Sequence, residues 1–138
     1  MLLSIKKAGL RFEDYIITNL EGLPGYKLSS AEQDRKWGTD FFYYGVPIDI
    51  TLNPNKNNVT FSETYIDILV CKIYVGFRTG NGKARFEHPV LVLYFNLLDM
   101  ADDDVLKLVA YEFGEEALEK ALDIFWCLLD QQKNNFMG

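Results

Sequence analysis

The sequence predicts one α+β domain, and three observations carry that prediction. Apolar residues recur at helical spacing near both ends of the chain. Between them lie β-branched and aromatic runs separated by clusters of glycine, proline and asparagine. The hydrophobic share is 49% over 138 residues, enough for a core without metal or disulfide staples.

Lys6 to Leu20 reads as an amphipathic helix with Leu10, Glu13, Ile16, Ile17 and Leu20 on one face. Glu21-Gly22-Leu23-Pro24-Gly25 ends it. Tyr26 to Ser30 fits a short strand, and Ser30 to Lys36 is a polar loop. Two strands follow, Thr39 to Tyr44 and Val46 to Leu52, pivoting at Gly45. Asn53 to Asn58 is a loop of strong breakers. Tyr65 to Phe77 is apolar on both faces and reads as one central strand, and Arg85 to Asn96 as another. Thr79 to Lys83 between them is a hairpin turn. Asp102, Asp103 and Asp104 open a helix, where acids suit the positive end of the dipole. Glu115 to Lys133 forms a second, with Leu118, Ala121, Leu122, Phe125, Leu128 and Leu129 as its apolar stripe. The expected architecture is an N-terminal helix, a mixed sheet of about five strands, and two C-terminal helices.

The net charge of −6 gives no general attraction for phosphate. Contact with nucleic acid would have to come from a local basic patch or from a metal held by carboxylates. Cys71 and Cys127 lie far apart in apolar runs and read as buried thiols. There is no CxxC pair and no His/Cys cluster of the kind that holds structural zinc. The short apolar run at Met1 to Ile5 does not have the form of a signal peptide, and no stretch approaches the ~20 apolar residues that span a bilayer. The default compartment is the cytoplasm. Asn58-Val59-Thr60 matches a glycosylation pattern that has no meaning without secretion.

Three acids stand out from this background. Glu13 lies within the apolar stripe of the first helix. There it either needs a partner or a cation, or reaches solvent at the stripe's edge. Asp40 opens one strand and Asp49 lies mid-way along the next, so a hairpin at Gly45 puts them at similar height. Two carboxylates held that close repel unless a hard divalent cation sits between them. The alternative is a solvated strand face, because simple alternation also turns Asp49 and Thr51 outward.

The segment Lys36-Trp37-Gly38-Thr39-Asp40-Phe41-Phe42-Tyr43-Tyr44-Gly45-Val46-Pro47-Ile48-Asp49-Ile50-Thr51 resembles the core of the PD-(D/E)XK nuclease superfamily. That pattern has an aspartate opening one strand, a short turn with glycine, and an acid-x-lysine triplet in the next strand. A glutamate on a preceding helix often joins it, and Glu13 matches that role. The resemblance covers roughly residues 9 to 52. It implies a restriction-endonuclease-like core, magnesium (or manganese) bound by Glu13, Asp40 and Asp49, and phosphodiester hydrolysis of DNA or RNA. In this family the lysine positions or activates the attacking water.

The chain departs from the pattern at two points. Thr51 stands at the lysine position and brings no positive charge, which would weaken or abolish catalysis. The helix that usually joins the third and fourth core strands is also missing after Thr51. A replacement cation is sought first in Lys72, a lone cation in an apolar strand, and in Lys36, just before Asp40. Arg78, Lys83 and Arg85 cluster near the hairpin tip and are candidates for touching phosphates. For each of these cations the plainer reading is a solvated side chain whose stem lies on apolar surface.

Other signals carry less. Gly76 to Ala84 has one residue too many for a phosphate-binding loop and lacks its Ser or Thr. His88 is the single histidine, and no serine or cysteine has a motif pointing to a His-assisted nucleophile. Phe41, Phe42, Tyr43 and Tyr44 suit base stacking but more often build core. The rival to the nuclease reading is a small acidic protein-interaction module, a regulatory or inhibitor protein that keeps the scaffold without the chemistry. An inhibitor that mimics nucleic acid would want carboxylates spaced along one surface, and only Asp102 to Asp104 form a run. Exposed sheet edges would allow dimerisation, but nothing in the chain fixes it.

Overall fold

The computed structural model describes residues 5–32, 38–55, 58–81, 84–97 and 102–137. It is an α+β fold in the order α1 (Ile5–Leu20), β1 (Tyr26–Leu28), β2 (Phe41–Tyr43), β3 (Val46–Thr51), β4 (Thr60–Ile68), β5 (Cys71–Asn81), β6 (Ala84–Leu97), α2 (Asp103–Glu112) and α3 (Glu115–Met137).

The strands form one six-stranded sheet in the order β1-β2-β3-β6-β5-β4. β3 and β6 run parallel and every other neighbouring pair is antiparallel. The β2–β3 hairpin turns on Tyr44 and Gly45, with φ of 48° and 82°. Two consecutive positive φ values make the primed turn whose twist matches that of the strands. Glycine takes this conformation without a Cβ clash. Tyr44 adopts it with its ring set edge-on to Tyr43, centroids 4.8 Å apart.

All three helices contribute to one core cluster with alternate residues of the sheet, among them Phe41, Ile48, Ile73, Val75, Leu91, Leu93 and Phe95. Ala8, Phe12, Ile16 and Leu20, spaced four apart, are the fully buried stripe of α1. Phe12 meets Phe95 edge to face at 4.8 Å, and Phe95 meets Phe113 at 5.2 Å. Burial of each such side chain is worth about 1.5–3 kcal/mol. The predicted stripe was therefore rotated: Leu10 is 57% exposed, Phe12 lies at the centre, and Glu13 lies on the flank. Asn19 ties α1 to α2 by donating Nδ2–H to the carbonyls of Ala110 (2.9 Å) and Phe113 (3.1 Å). Asp102 caps α2 by accepting from the Asp104 N–H at 2.9 Å.

One expected strand is two. Tyr65 to Phe77 spans the end of β4 and most of β5, and the chain reverses between Ile68 and Cys71, which are cross-strand partners. The turn residues Leu69 and Val70 are apolar and exposed, and Leu69 takes a φ of 53°. No glycine, proline, asparagine or aspartate marks this turn, so it was invisible to the usual punctuation. Among the described residues no helix is long and apolar enough to cross a membrane.

Candidate functional site

The three acids predicted from sequence are brought together where the start of β2, the middle of β3 and the flank of α1 meet. Phe12 anchors α1 in the core, and the next residue, Glu13, reaches the entry to β2. There the Asp40 carboxyl is hydrogen-bonded to the Glu13 side chain. The Asp40 N–H donates to the Ile48 carbonyl at 2.8 Å, extending the β2–β3 ladder by one step. The same register sets Asp40 opposite Asp49. Asp40 Oδ2 also accepts the Ile50 N–H at 2.7 Å, so its side chain stands in for a strand beyond the end of β2. Asp40 and Asp49 are 8% and 4% exposed.

Burial and crowding set the protonation of this group. The Asp40 carboxyl is pushed up to about 10, first by burial, then by the charges of Asp49 and Glu13; the Ile50 N–H pulls the other way. Asp40 therefore holds a proton at neutral pH.

Arg78 reaches Asp49 from β5, the second strand beyond β3. Its Nη1 donates to Asp49 Oδ2 at 2.9 Å and its Nη2 to the Gly38 carbonyl at 2.9 Å. Both partners of the ion pair are nearly inaccessible, with side chains 9% and 6% exposed. One guanidinium thus ties β3 to the segment that carries Asp40. Gly38 makes this approach possible. Its φ is 62°, and a Cβ there would stand 2.5 Å from Arg78 Nη2. Gly38→Ala is expected to destabilise the fold by about 1–3 kcal/mol, because it adds backbone strain and displaces the arginine. The midpoint of urea unfolding measures this, and an unchanged midpoint would contradict it.

The remaining predicted residues are placed as follows. Thr51 is buried, and its Oγ1 accepts the Asn53 N–H at 2.9 Å, so the residue at the lysine position caps the turn after β3. Lys72 does not reach the acids. It is exposed, with Nζ 4.8 Å over the Tyr65 ring, and pairs in register with Asp67 and Asn96. It lies four residues along β5 from Gly76, whose β6 partner Val92 is also the partner of Asp49, and four residues span about 13 Å of strand. Arg78 turns inward to Asp49 and does not extend the basic hairpin tip. The backbone of Arg85 pairs with Gly80. Lys36 and Lys83 lie outside the described residues.

The role of Arg78 towards Asp49 was missed by the sequence reading. The signal that drew attention to Lys72, a lone cation in an apolar strand, applies equally to Arg78 after Val75-Gly76-Phe77. Two surface grooves, one of about 510 Å³ between α1 and α2 and one of about 300 Å³ beside β4 and α3, include none of the three acids.

An all-oxygen set of Glu13, Asp40 and Asp49 suits a hard divalent cation in kind. As placed, though, it is not a ready cage. Among the described residues no group of three or more His, Cys, Asp or Glu side chains is arranged to hold a metal ion. One oxygen of Asp40 and one of Asp49 are already taken by the Ile50 N–H and Arg78. No family model matches the chain, and neither the curated proteins nor the solved structures give a match.

Proposed function

We propose that this chain is a divalent-metal-dependent phosphodiesterase of the PD-(D/E)XK kind that acts on nucleic acid, with Glu13, Asp40 and Asp49 as its metal ligands. One observation carries this reading: three carboxyl groups from α1, β2 and β3 converge, and Asp40 retains a proton first because it is buried and then because Asp49 and Glu13 crowd it with negative charge. A second positive charge placed there would relieve the crowding. Magnesium or manganese, when bound, would supply an activated water and stabilise developing phosphoryl charge. The protein's part is to hold the acids. The primed turn at Tyr44–Gly45 fixes their register, and Phe12 fixes the height of Glu13. The order of elements also favours the reading: a helix precedes the antiparallel run β1-β2-β3, and a later strand, β6, lies beside β3. The connection between β3 and β6 is the β4–β5 hairpin where the superfamily usually has a helix.

A second reading has its own support. Asp49 is already matched by Arg78, and Asp40 shares its proton with Glu13, so the cluster is satisfied without a metal. That is the state expected of an interaction module that keeps the scaffold alone. Calorimetric titration of Mn²⁺ and Mg²⁺ into wild type and Asp49→Asn separates the two. Asparagine keeps an acceptor for Arg78 and removes the ligand charge. Saturable binding lost in the variant, with metal-dependent cleavage of DNA or RNA by the wild type, is the expected result. No binding at millimolar Mn²⁺ would overturn the phosphodiesterase reading in favour of the interaction module.

A further inference from the structure

We propose that the outer edge of β4 takes up an extended, cationic peptide segment of a partner protein as an added strand of the sheet. The proposal goes beyond the phosphodiesterase reading and uses none of its three acids.

The sheet has two edge strands, and they differ. β1 is three residues long and β4 is nine. An edge strand turns the N–H and C=O of every second residue away from its neighbour, where another chain can pair with them. Edges that resist such pairing carry lysine or proline, or break their own ladder. β4 has no lysine, arginine or proline. Its ladder is interrupted by the bulge between Phe61 and Tyr65, where the Thr64 N–H donates to Ser62 Oγ at 3.0 Å. From Tyr65 to Ile68 the pairing with β5 is regular, and Tyr65 and Asp67 are exposed. This half of the edge is the part that can accept a strand.

A groove of about 300 Å³ runs beside it. Ile66, Ile68 and Leu69 line one side and Ala117 of α3 the other. Ile66 and Ala117 are buried, whereas Leu69 is exposed, so an apolar floor lies behind an open apolar lip. A strand added to β4 sends alternate side chains to opposite faces of the sheet. Those on the helix face enter the groove with Ile66 and Ile68. Those on the other face stand beside Tyr65 and Asp67.

Charge decides the occupant. The groove carries Asp67, Glu112 and Glu116 against Lys120, and Lys120 already lies 3.4 Å from Glu116. Glu63 adds a further carboxylate to β4. A second copy of the chain would bring the same acids and a net charge of −6, which opposes self-pairing. A strand that alternates aliphatic residues with lysine or arginine matches both the apolar groove and its acidic rim.

The test uses the full chain and a fluorescein-labelled peptide of alternating lysine and valine, about eight residues long. Its N-methylated form keeps the charges and loses the backbone donors. A glutamate–valine counterpart keeps the backbone and reverses the charge. Affinity is read by anisotropy at about 0.1 M salt, and the place of binding by backbone amide shifts in NMR spectra. The lysine–valine peptide should bind with its largest shifts at residues 65–68 and at Ala117. N-methylation should weaken it at least about 10-fold, and the glutamate peptide should not bind. The double variant Asp67→Asn, Glu112→Gln changes two exposed side chains and leaves the core intact. It should bind the lysine peptide about 5-fold more weakly. Equal binding of the N-methylated peptide would mean attraction by charge alone and would overturn the proposal. Shifts centred elsewhere, unchanged affinity in the double variant, or no binding at about 1 mM peptide would overturn it too. A chain that sediments as a dimer with its β4 amides protected from exchange would assign the edge to a second copy, and the proposal falls.

Discussion

Arg78→Met is expected to lower stability by about 3–5 kcal/mol, the usual consequence of removing one partner from a buried ion pair. The reasoning is local. Both side chains are under a tenth exposed, so neither solvent nor salt can take over the role of the missing partner. Asp49 would then be a buried carboxylate beside Asp40 and Glu13 with its guanidinium gone, and the Gly38 carbonyl would lose a donor at the same time. For a chain of this length the thermal midpoint should fall by roughly 10 °C or more. The double variant Arg78→Met, Asp49→Leu should recover most of the loss, because it removes the buried carboxylate along with the guanidinium that faces it. Denaturant midpoints for the two single variants and the double variant give the coupling directly. A methionine variant within about 0.5 kcal/mol of wild type would show that the bridge contributes little to the fold.

Asp40→Asn should act in the opposite direction. Aspartate at this position has a folded value of about 10 against an ordinary 3.8. The folded state thus keeps a proton that the unfolded chain releases. Stability from this group is present in full below about pH 4 and is lost progressively as pH rises towards 10. For one proton the slope cannot exceed about 1.4 kcal/mol per pH unit. Asparagine keeps an oxygen acceptor for the Ile50 N–H and can donate to Glu13, but it has no proton to release. The variant should therefore be more stable than wild type, with a margin that widens from pH 5 to pH 9. Urea midpoints at several pH values measure it. A margin that stays constant with pH would mean that Asp40 is not held protonated in the fold.

These two predictions bear on how much of the molecule could be read from sequence. That Asp40 and Asp49 lie at similar height was legible because Gly45 marks the reversal between their strands, but the two-residue turn at Tyr44 and Gly45 that fixes their register was not. The C-terminal helices were legible from Asp102 and from the stripe through Leu118 and Phe125. The β4–β5 turn was not, because Leu69 and Val70 carry no turn chemistry and their neighbours read as one β run. The exact face of α1 was not, because Leu10 and Phe12 fit neighbouring stripes and only the position of Phe95 chooses between them. Arg78 was visible as a residue but not as a partner of Asp49. Spacing within a strand says nothing about which side chains from a distant strand cross to meet it, and here the sheet order interposes β6 between β3 and β5.

That same sheet order constrains how the chain reaches its native state. The β2–β3 hairpin and the β4-β5-β6 meander are each local along the chain and can form independently. The parallel ladder of Ile48 with Leu91 and Ile50 with Leu93 joins two segments far apart in sequence, so it must close a long loop before any contact compensates the entropy lost. The acids and their arginine belong to different halves of this assembly. Before the halves dock, Asp49 is a solvated carboxylate and Arg78 a solvated guanidinium. The Asp49–Arg78 bridge therefore forms only when the two halves dock, whereas the Asp40–Asp49 juxtaposition is already set within the β2–β3 hairpin.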